Sequence, residues 1–148
     1  MKKLTWQLVI PMTIISFAGI TKWWYVLVVD GWDIMMTGFP LPYSCPGFHT
    51  SLSLQIFVFE LIVDLLFYFI FWFLVIFLFN KYIKQINIRK RIVIVLLSIS
   101  GLLALGMILI ASLPDNIFKI KKDFEYEVID SGVDAWQKRD QPEFKNYE

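Results

Sequence analysis

Three long apolar runs alternate with polar stretches along the chain, and they cover residues 4–21, 56–79 and 92–113. The middle run is the most continuous, because only Glu60 and Asp64 are charged among its 24 residues. A helix of that length extends about 36 Å at ~1.5 Å per residue, enough to cross a hydrocarbon core of about 30 Å. A lone strand in lipid would leave its backbone groups unpaired, so each run is predicted as a transmembrane helix.

The stretches between the runs complete the predicted organisation. They are an outer loop at 22–55, a short loop at 80–91 and a tail at 114–148. Because three spans put the outer loop and the tail on the same side of the membrane, these two segments are expected to meet in one small cap. The predicted fold is therefore an all-α membrane protein with three transmembrane helices and a small extracytoplasmic cap that contains β-structure.

The first apolar run has two interpretations. A basic start and the small residues Ala18 and Gly19 resemble a secretory signal, whose cleavage would leave two spans. The alternative is a first span that Pro11 kinks. In that interpretation the aromatic residues 23–25 form an interfacial belt and Lys22 reaches toward the lipid headgroups.

The outer loop contains several turn signals. Asp30-Gly31 lies between two apolar stretches and is typical of a two-residue hairpin turn. The alternative is that the apolar stretch before it lengthens the first helix, which would then end at Asp30-Gly31. The segment 38–47 contains three prolines and two glycines, which predict an extended, turning path. Residues 51–55 alternate between polar and apolar and predict a strand-like approach to the second span.

The hexapeptide from Gly38 to Tyr43 reads Gly-Phe-Pro-Leu-Pro-Tyr. In this motif the chain resembles small bacterial membrane proteins that carry a Gly-Phe-Pro-apolar-Pro-aromatic loop after their first span, and the resemblance covers roughly residues 36–80. These families are uncharacterised, so the resemblance implies a bacterial envelope protein and carries no functional residues over.

Loop 80–91 holds five basic residues and no acid. Short loops with an excess of Lys and Arg stay in the cytoplasm. The amino terminus is therefore predicted to be cytoplasmic and the carboxyl terminus extracytoplasmic, in the inner membrane of a bacterium.

The tail has nine acidic and six basic residues after position 114. From 117 to 129 apolar and polar residues alternate, with Lys122 as an exception, which predicts one amphipathic strand ending at Ser131-Gly132. A strand with an apolar face needs a partner, and the outer loop would supply it. The alternative is a disordered acidic tail.

Glu60, Asp64 and Tyr68 lie on one face of the second span because they are four residues apart. Carboxylates in a span suggest cation binding, a proton relay or an ion pair, with Lys22 as a candidate partner. The same face is predicted to continue as Phe71, Val75 and Leu78, which offer no polar path across the membrane. Structural anchoring is therefore favoured over a transporter or channel built on these residues.

Two further groups of residues are candidates for specific roles. Cys45 and His49 are the only thiol and the only imidazole, four residues apart in the outer loop, and they could form a nucleophile–base pair or half a metal site. Small residues in the third span let helix backbones approach closely and predict a packing face for the second span or a partner. These residues are Ser100, Gly101, Ala104 and Ala111.

Composition restricts the function further. The chain has 148 residues, a hydrophobic content of 57% and a net charge of +1, so it has no basic surplus for nucleic acid. Its single cysteine excludes an internal disulfide. No nucleotide-binding, zinc-protease or nucleophile-elbow motif is present, so neither a cofactor nor an enzyme class is predicted.

The leading functional hypothesis is a non-enzymatic subunit or scaffold of a bacterial envelope complex. Its partners would be the lipid bilayer and either other membrane or envelope proteins or further copies of the chain. A small transporter or channel component using Glu60, Asp64 and Tyr68 is the alternative, and a membrane enzyme using Cys45 and His49 is a weaker one.

Overall fold

The computed structural model describes residues 2–28, 33–47, 53–83, 89–122 and 124–133. In this part of the chain three helices support one six-stranded mixed sheet. The prediction of an all-α protein with three spans is therefore wrong.

The first helix, α1, runs through Lys2–Leu4, Thr5–Val9 and Ile10–Gly19, and its middle part is π-helical. The N–H of Ile10 bonds to the carbonyl of Thr5 there, just before Pro11, whose missing N–H interrupts the regular ladder. The helix ends at Gly19 and a strand begins at Lys22, so the apolar run 4–21 is shared between a helix and the approach to that strand.

The two other helices are α2 (Val58–Leu78), which continues as a π-helical segment at Phe79–Ile83, and α3 (Lys90–Ala111). Among the described residues, these are the two helices that are long and apolar enough to cross a membrane, whereas α1 is shorter. The polar side of α2 faces the protein, and most of the outward surface of α2 and α3 is apolar. A water-soluble protein normally shows the opposite distribution.

The sheet combines strands from the outer loop and the tail. Its strands are β1 (Lys22–Val28), β2 (Ile34–Thr37), β3 (Ser44–Pro46), β4 (Leu54–Phe57), β5 (Ile117–Lys119) and β6 (Tyr126–Val133). They lie in the order β5-β4-β3-β2-β1-β6, and all neighbours are antiparallel except β4 and β5. The two tail strands therefore form opposite edges of a sheet whose four inner strands come from the outer loop.

The structure agrees with one predicted strand arrangement and differs from another. Residues 22–28 form a strand paired with β2, as in the hairpin interpretation, and the Asp30-Gly31 turn itself lies outside the described residues. The single tail strand predicted over 117–129 is wrong, because β5 and β6 lie on opposite edges and the chain crosses the sheet between them. Lys122, which breaks the alternation, lies in this crossing segment.

One face of the sheet holds a buried apolar cluster, and the other faces the helices. The cluster consists of Val26, Val28, Ile34, Met36, Cys45 and Phe57, and Trp24, Phe124 and Tyr126 pack against it. At the helix side, Asn116 donates to the carbonyls of Ile110 and Ala111 and accepts from the N–H of Leu54. Asn116 thus caps α3 and attaches it to β4.

The helices pack around α1, which contacts both α2 and α3, while α2 and α3 have little direct contact with each other. This arrangement leaves space between the two long helices beneath the sheet.

Candidate functional site

Asp64 lies on the inner face of α2 and is fully buried, with 0% of its surface exposed. Its Oδ2 accepts a hydrogen bond from the backbone N–H of Phe39 at 2.7 Å, and its Oδ1 accepts one from the N–H of Leu41 at 3.0 Å. Hydrogen bonds to an ionised acceptor are roughly twice as strong as neutral ones. Asp64 therefore fixes the loop of residues 38–43 against α2.

The proline spacing of this loop explains why a carboxylate fits it. Pro40 and Pro42 have no N–H, so Phe39 and Leu41 supply the donors of that part of the backbone. A carboxylate has only acceptors, on two oxygens, and each oxygen takes one of these N–H groups. The Gly-Phe-Pro-Leu-Pro-Tyr motif and Asp64 thus form one structural unit, although 23 to 25 residues separate them.

Gly38 fixes the other side of the loop to β1. Its N–H donates to the carbonyl of Lys22 at 2.9 Å, and its carbonyl accepts from the Trp24 indole N–H at 2.8 Å. Its φ is 148°, a conformation that residues with a side chain rarely adopt. A Cβ here would also overlap the carbonyl oxygen of Leu41 and lie 2.7 Å from the nitrogen of Tyr43.

Tyr43 ends the loop and lies beneath the sheet. Its N–H donates to the carbonyl of Thr37 at 2.9 Å, and its ring stacks on Phe17 of α1 with centroids 5.2 Å apart. Burial raises the pKa of the Tyr43 phenol, and the charge of Asp64 raises it further. The phenol therefore remains protonated and neutral at physiological pH.

Tyr68 and Trp72 extend the polar face of α2 by two further turns. The Tyr68 hydroxyl donates to the carbonyl of Ile20, just beyond the end of α1, and the Trp72 indole N–H donates to Ser16 Oγ at 2.8 Å. The last carbonyls of a helix need a donor from outside the helix, and Tyr68 supplies one. Asp64, Tyr68 and Trp72 therefore attach α2 to the loop and to α1.

The predicted continuation of this face through Phe71, Val75 and Leu78 is wrong. These three side chains are exposed, whereas Ile76 is buried and Trp72 is half-buried. The face follows a repeat of four residues from Asp64 onward, and the indole N–H of Trp72 has an acceptor on α1. The signal was present in the sequence as a polar atom one turn beyond Tyr68.

Glu60 lies one turn before Asp64 and has a cation from the tail beside it. Lys122 Nζ is 3.9 Å from Glu60 Oε1 and donates a hydrogen bond to the Tyr126 hydroxyl at 3.1 Å. Glu60 Oε2 is buried and has no hydrogen-bond partner. This long ion pair connects the crossing segment of the tail to the first turn of α2.

Lys22, the predicted partner of the carboxylates, lies elsewhere. Its Nζ is 3.7 Å from the centroid of the Trp24 ring, in a cation–π contact. The cation beside Glu60 is Lys122, which sequence reasoning missed. The only signal was that Lys122 interrupts an otherwise regular alternation of apolar and polar residues.

Cys45 is buried in the apolar cluster of the sheet, with 2% of its surface exposed. A thiol in apolar surroundings is a poor nucleophile, because burial disfavours the thiolate. His49 lies outside the described residues. Within the described part of the chain, no three His, Cys, Asp or Glu side chains come together as a group of metal ligands.

The small residues of α3 differ in their burial. Ser100 is buried, Ala104 and Ala111 are half-buried, and Gly101 is exposed. The helix that α3 packs against is α1, and contact with the Phe-rich α2 is sparse.

Two apolar cavities flank the stacked rings of Phe17 and Tyr43. The larger, of about 410 Å³, lies between α2, α3 and the sheet, and Leu65 and Ala104 are among its walls. The smaller, of about 330 Å³, lies between the end of α1 and α3, and Thr21 is one of the residues that line it. They are named the Leu65 cavity and the Thr21 cavity below.

No protein-family model, curated protein or solved structure matches this chain. Its function is therefore inferred from the contacts of its own residues. Those contacts make Asp64, Tyr68 and Trp72 an internal attachment site, and they leave two cavities and the outer apolar surfaces available for other molecules.

Proposed function

We propose that the chain is an integral membrane protein of the bacterial inner membrane and acts as a non-catalytic subunit or scaffold of an envelope complex. In this proposal α2 and α3 cross the bilayer, and the six-stranded sheet forms a platform outside the cytoplasm. The supporting observation is that α2 turns its polar residues inward and its apolar residues outward. Such a surface suits a lipid environment or an apolar partner.

The connection between α2 and α3 gives the orientation in this proposal. Lys81, Arg89, Lys90 and Arg91 lie close to the ends of these helices on the side away from the sheet. Lys and Arg near span ends favour the cytoplasmic side. The sheet and the carboxyl terminus are then extracytoplasmic.

The contacts of the polar residues on α2 support a scaffold role. Asp64 uses both oxygens to hold the loop, and Tyr68 donates to the end of α1. These residues carry out structural roles that a transported ion would disturb. Cys45, the nucleophile of the enzyme hypothesis, lies inside the sheet core.

Two experiments test the proposal. The first uses topology reporters: a periplasmic reporter fused after Glu148 should be active, and one fused at Gln85 should be inactive, while a cytoplasmic reporter should show the reverse. The second is affinity purification of the full chain in mild detergent followed by mass spectrometry. Recovery of an envelope protein at a fixed molar ratio to the chain supports the subunit hypothesis. Recovery of the chain as a homo-oligomer alone contradicts it.

The transporter alternative has its own test at the carboxylates. The double variant Glu60→Gln and Asp64→Asn should retain cellular function wherever it reaches wild-type abundance in the membrane. Lost function at normal abundance and normal complex size would instead show that the carboxylates act on a cation or proton.

A further inference from the structure

We propose that the Thr21 cavity is a binding site for one acyl chain of a phospholipid, and that the Thr21 hydroxyl donates a hydrogen bond to the ester carbonyl of that chain. The inference rests on the membrane location proposed above and adds a ligand class to it. Three independent features of the cavity support it: its walls, its mouth and the buried Thr21 hydroxyl, which has no hydrogen-bond partner.

The walls suit a flexible hydrocarbon chain. The cavity of about 330 Å³ is lined by Phe17 and Ala18 from α1 and by Leu103, Met107 and Ile110 from α3. Ligand pockets typically measure about 300 to 1,000 Å³, are mostly apolar and contain a few polar groups that orient the ligand. Methionine adapts to flexible apolar ligands because its side chain is unbranched and polarisable.

The mouth of the cavity opens onto the surface that the proposed function places in lipid. Leu102 lines the cavity and is also 73% exposed, so the cavity is continuous with the outer face of α3. The neighbouring Leu105 and Leu109 are exposed as well. A lipid in the bilayer could therefore insert one chain sideways without crossing a polar region.

Thr21 provides the polar group. Its Oγ1 is buried, lines this cavity and has no hydrogen-bond partner. A buried hydroxyl without a partner is costly, and most such groups are satisfied by an acceptor. A phospholipid acyl chain begins with an ester carbonyl, which is an acceptor at the end of an apolar chain.

The level of Thr21 matches that of an ester group. Thr21 directly precedes Lys22, whose ammonium contacts the ring of Trp24 two residues further on. Trp and Lys concentrate at the headgroup region of membranes, where the ester carbonyls also lie. The hydroxyl is therefore near the polar end of the chain, and the apolar walls of α3 are near its hydrocarbon part.

The first test uses a matched pair of glycines on α3. Gly106 lines the cavity, Gly101 does not, and a Cβ added at either glycine meets no atom within 4 Å. Gly106→Leu should therefore place a side chain in the cavity with no clash at its Cβ, whereas Gly101→Leu adds the same side chain on the exposed surface. The full chain is purified in detergent, mixed with dioleoylphosphatidylcholine and analysed by native mass spectrometry at increasing collision energy.

Wild type and Gly101→Leu should each retain one phospholipid after the loosely bound lipids are removed. Gly106→Leu should retain it in an at least fivefold smaller fraction of molecules. Equal retention by Gly106→Leu and wild type would overturn the proposal, as would equal loss in Gly101→Leu. Because the measurement uses the chain without a partner, it fails or succeeds independently of the subunit proposal.

The second test addresses the carbonyl and the source of the chain. Wild type should prefer dioleoylphosphatidylcholine over its diether analogue, which lacks both carbonyls, by about fivefold, the factor that corresponds to a hydrogen bond of about 1 kcal/mol. Thr21→Ser should keep this preference and Thr21→Val should lose it. A preference that persists in Thr21→Val would contradict the assigned hydrogen bond. Displacement of the phospholipid by an equimolar amount of oleic acid would identify a free fatty acid as the ligand and overturn the phospholipid assignment.

Discussion

Helices α2 and α3 are similar in length and both are strongly apolar, yet they are held in the molecule by different forces. The inner face of α2 carries Asp64, Tyr68 and Trp72, each of which forms a hydrogen bond to the loop or to α1. The inner face of α3 carries small and aliphatic residues and borders two cavities. In this comparison α2 is positioned by directional bonds along its inner face, whereas α3 is attached by such bonds at its end, through Asn116, and by apolar packing along its length.

This difference separates the residues that fix the position of a helix from the residues that determine which molecules occupy the cavities. Directional bonds in a low dielectric fix a helix and its loop in one arrangement, because leaving a buried donor unpaired is costly. Apolar packing with open volume tolerates substitution and accepts small molecules. Variants on α2 should therefore change stability, and variants on α3 should mainly change what the cavities hold.

The largest effect is expected for Asp64→Leu. The leucine would leave the N–H groups of Phe39 and Leu41 buried without an acceptor, at about 1 to 3 kcal/mol each, or about 2 to 6 kcal/mol together. The measurement is the free energy of unfolding in detergent, which is obtained from a denaturant titration. Asp64→Asn, which keeps one acceptor oxygen, should lose less, and Leu66→Ala on the exposed face of α2 serves as the control. Unchanged stability in Asp64→Leu would show that the loop does not depend on this carboxylate.

A smaller loss is expected for Lys122→Met. The substitution would leave Glu60 as an uncompensated charge that is 11% exposed, at a cost of about 2 kcal/mol. The double variant Lys122→Met and Glu60→Gln should regain part of this loss, because it removes the remaining charge. The single variant Glu60→Gln completes the comparison. If the losses of Lys122→Met and Glu60→Gln simply add in the double variant, the two side chains do not interact.

Tyr68→Phe should cost about 1 kcal/mol, the usual net value of one hydrogen bond. The substitution removes the donor to the Ile20 carbonyl and keeps the ring contacts with Phe17 and Phe39. The exposed Tyr82→Phe on the same helix is the matched control and should have no measurable effect on thermal unfolding. Equal behaviour of the two variants would remove Tyr68 from the attachment site.

The smallest effect, and the only gain, is expected for Gly101→Ala. A Cβ at this position meets no other atom, and alanine is a better helix former than glycine by about 1 kcal/mol. The unfolding midpoint should therefore rise slightly. A clear loss would mean that the exposed side of α3 packs closely against another molecule in the purified protein.

The sequence predicts the helical parts of this fold better than its sheet. The run 56–79 is predicted as a helix and forms one at Val58–Leu78, because a long apolar segment dominates every local signal. The run 4–21 also forms a helix over most of its length, but the chain turns into β1 at Lys22, where pairing with β2 and β6 decides the structure. Such pairing depends on residues about a hundred positions away, which local patterns do not reveal.

The candidate site was predictable in part. The four-residue spacing of Glu60, Asp64 and Tyr68 correctly places them on one inward face of α2. Their partners were not predictable, because two of them are backbone N–H groups and one is a carbonyl, which any residue carries. Lys122 was missed because its position depends on the tail crossing the sheet rather than forming one strand.

The position of β5 and β6 at the two edges of the sheet has a consequence for synthesis in the cell. Residue 28 of β1 and residue 126 of β6 are paired but 98 positions apart (126 − 28), so both long helices are made before this pairing is possible. Until then β1 and β4 are open edges, and open edges recruit strands from other chains. The strands of the newly made outer loop therefore have unpaired edges until the last part of the chain is synthesised. Any truncation before residue 115 removes both edge strands.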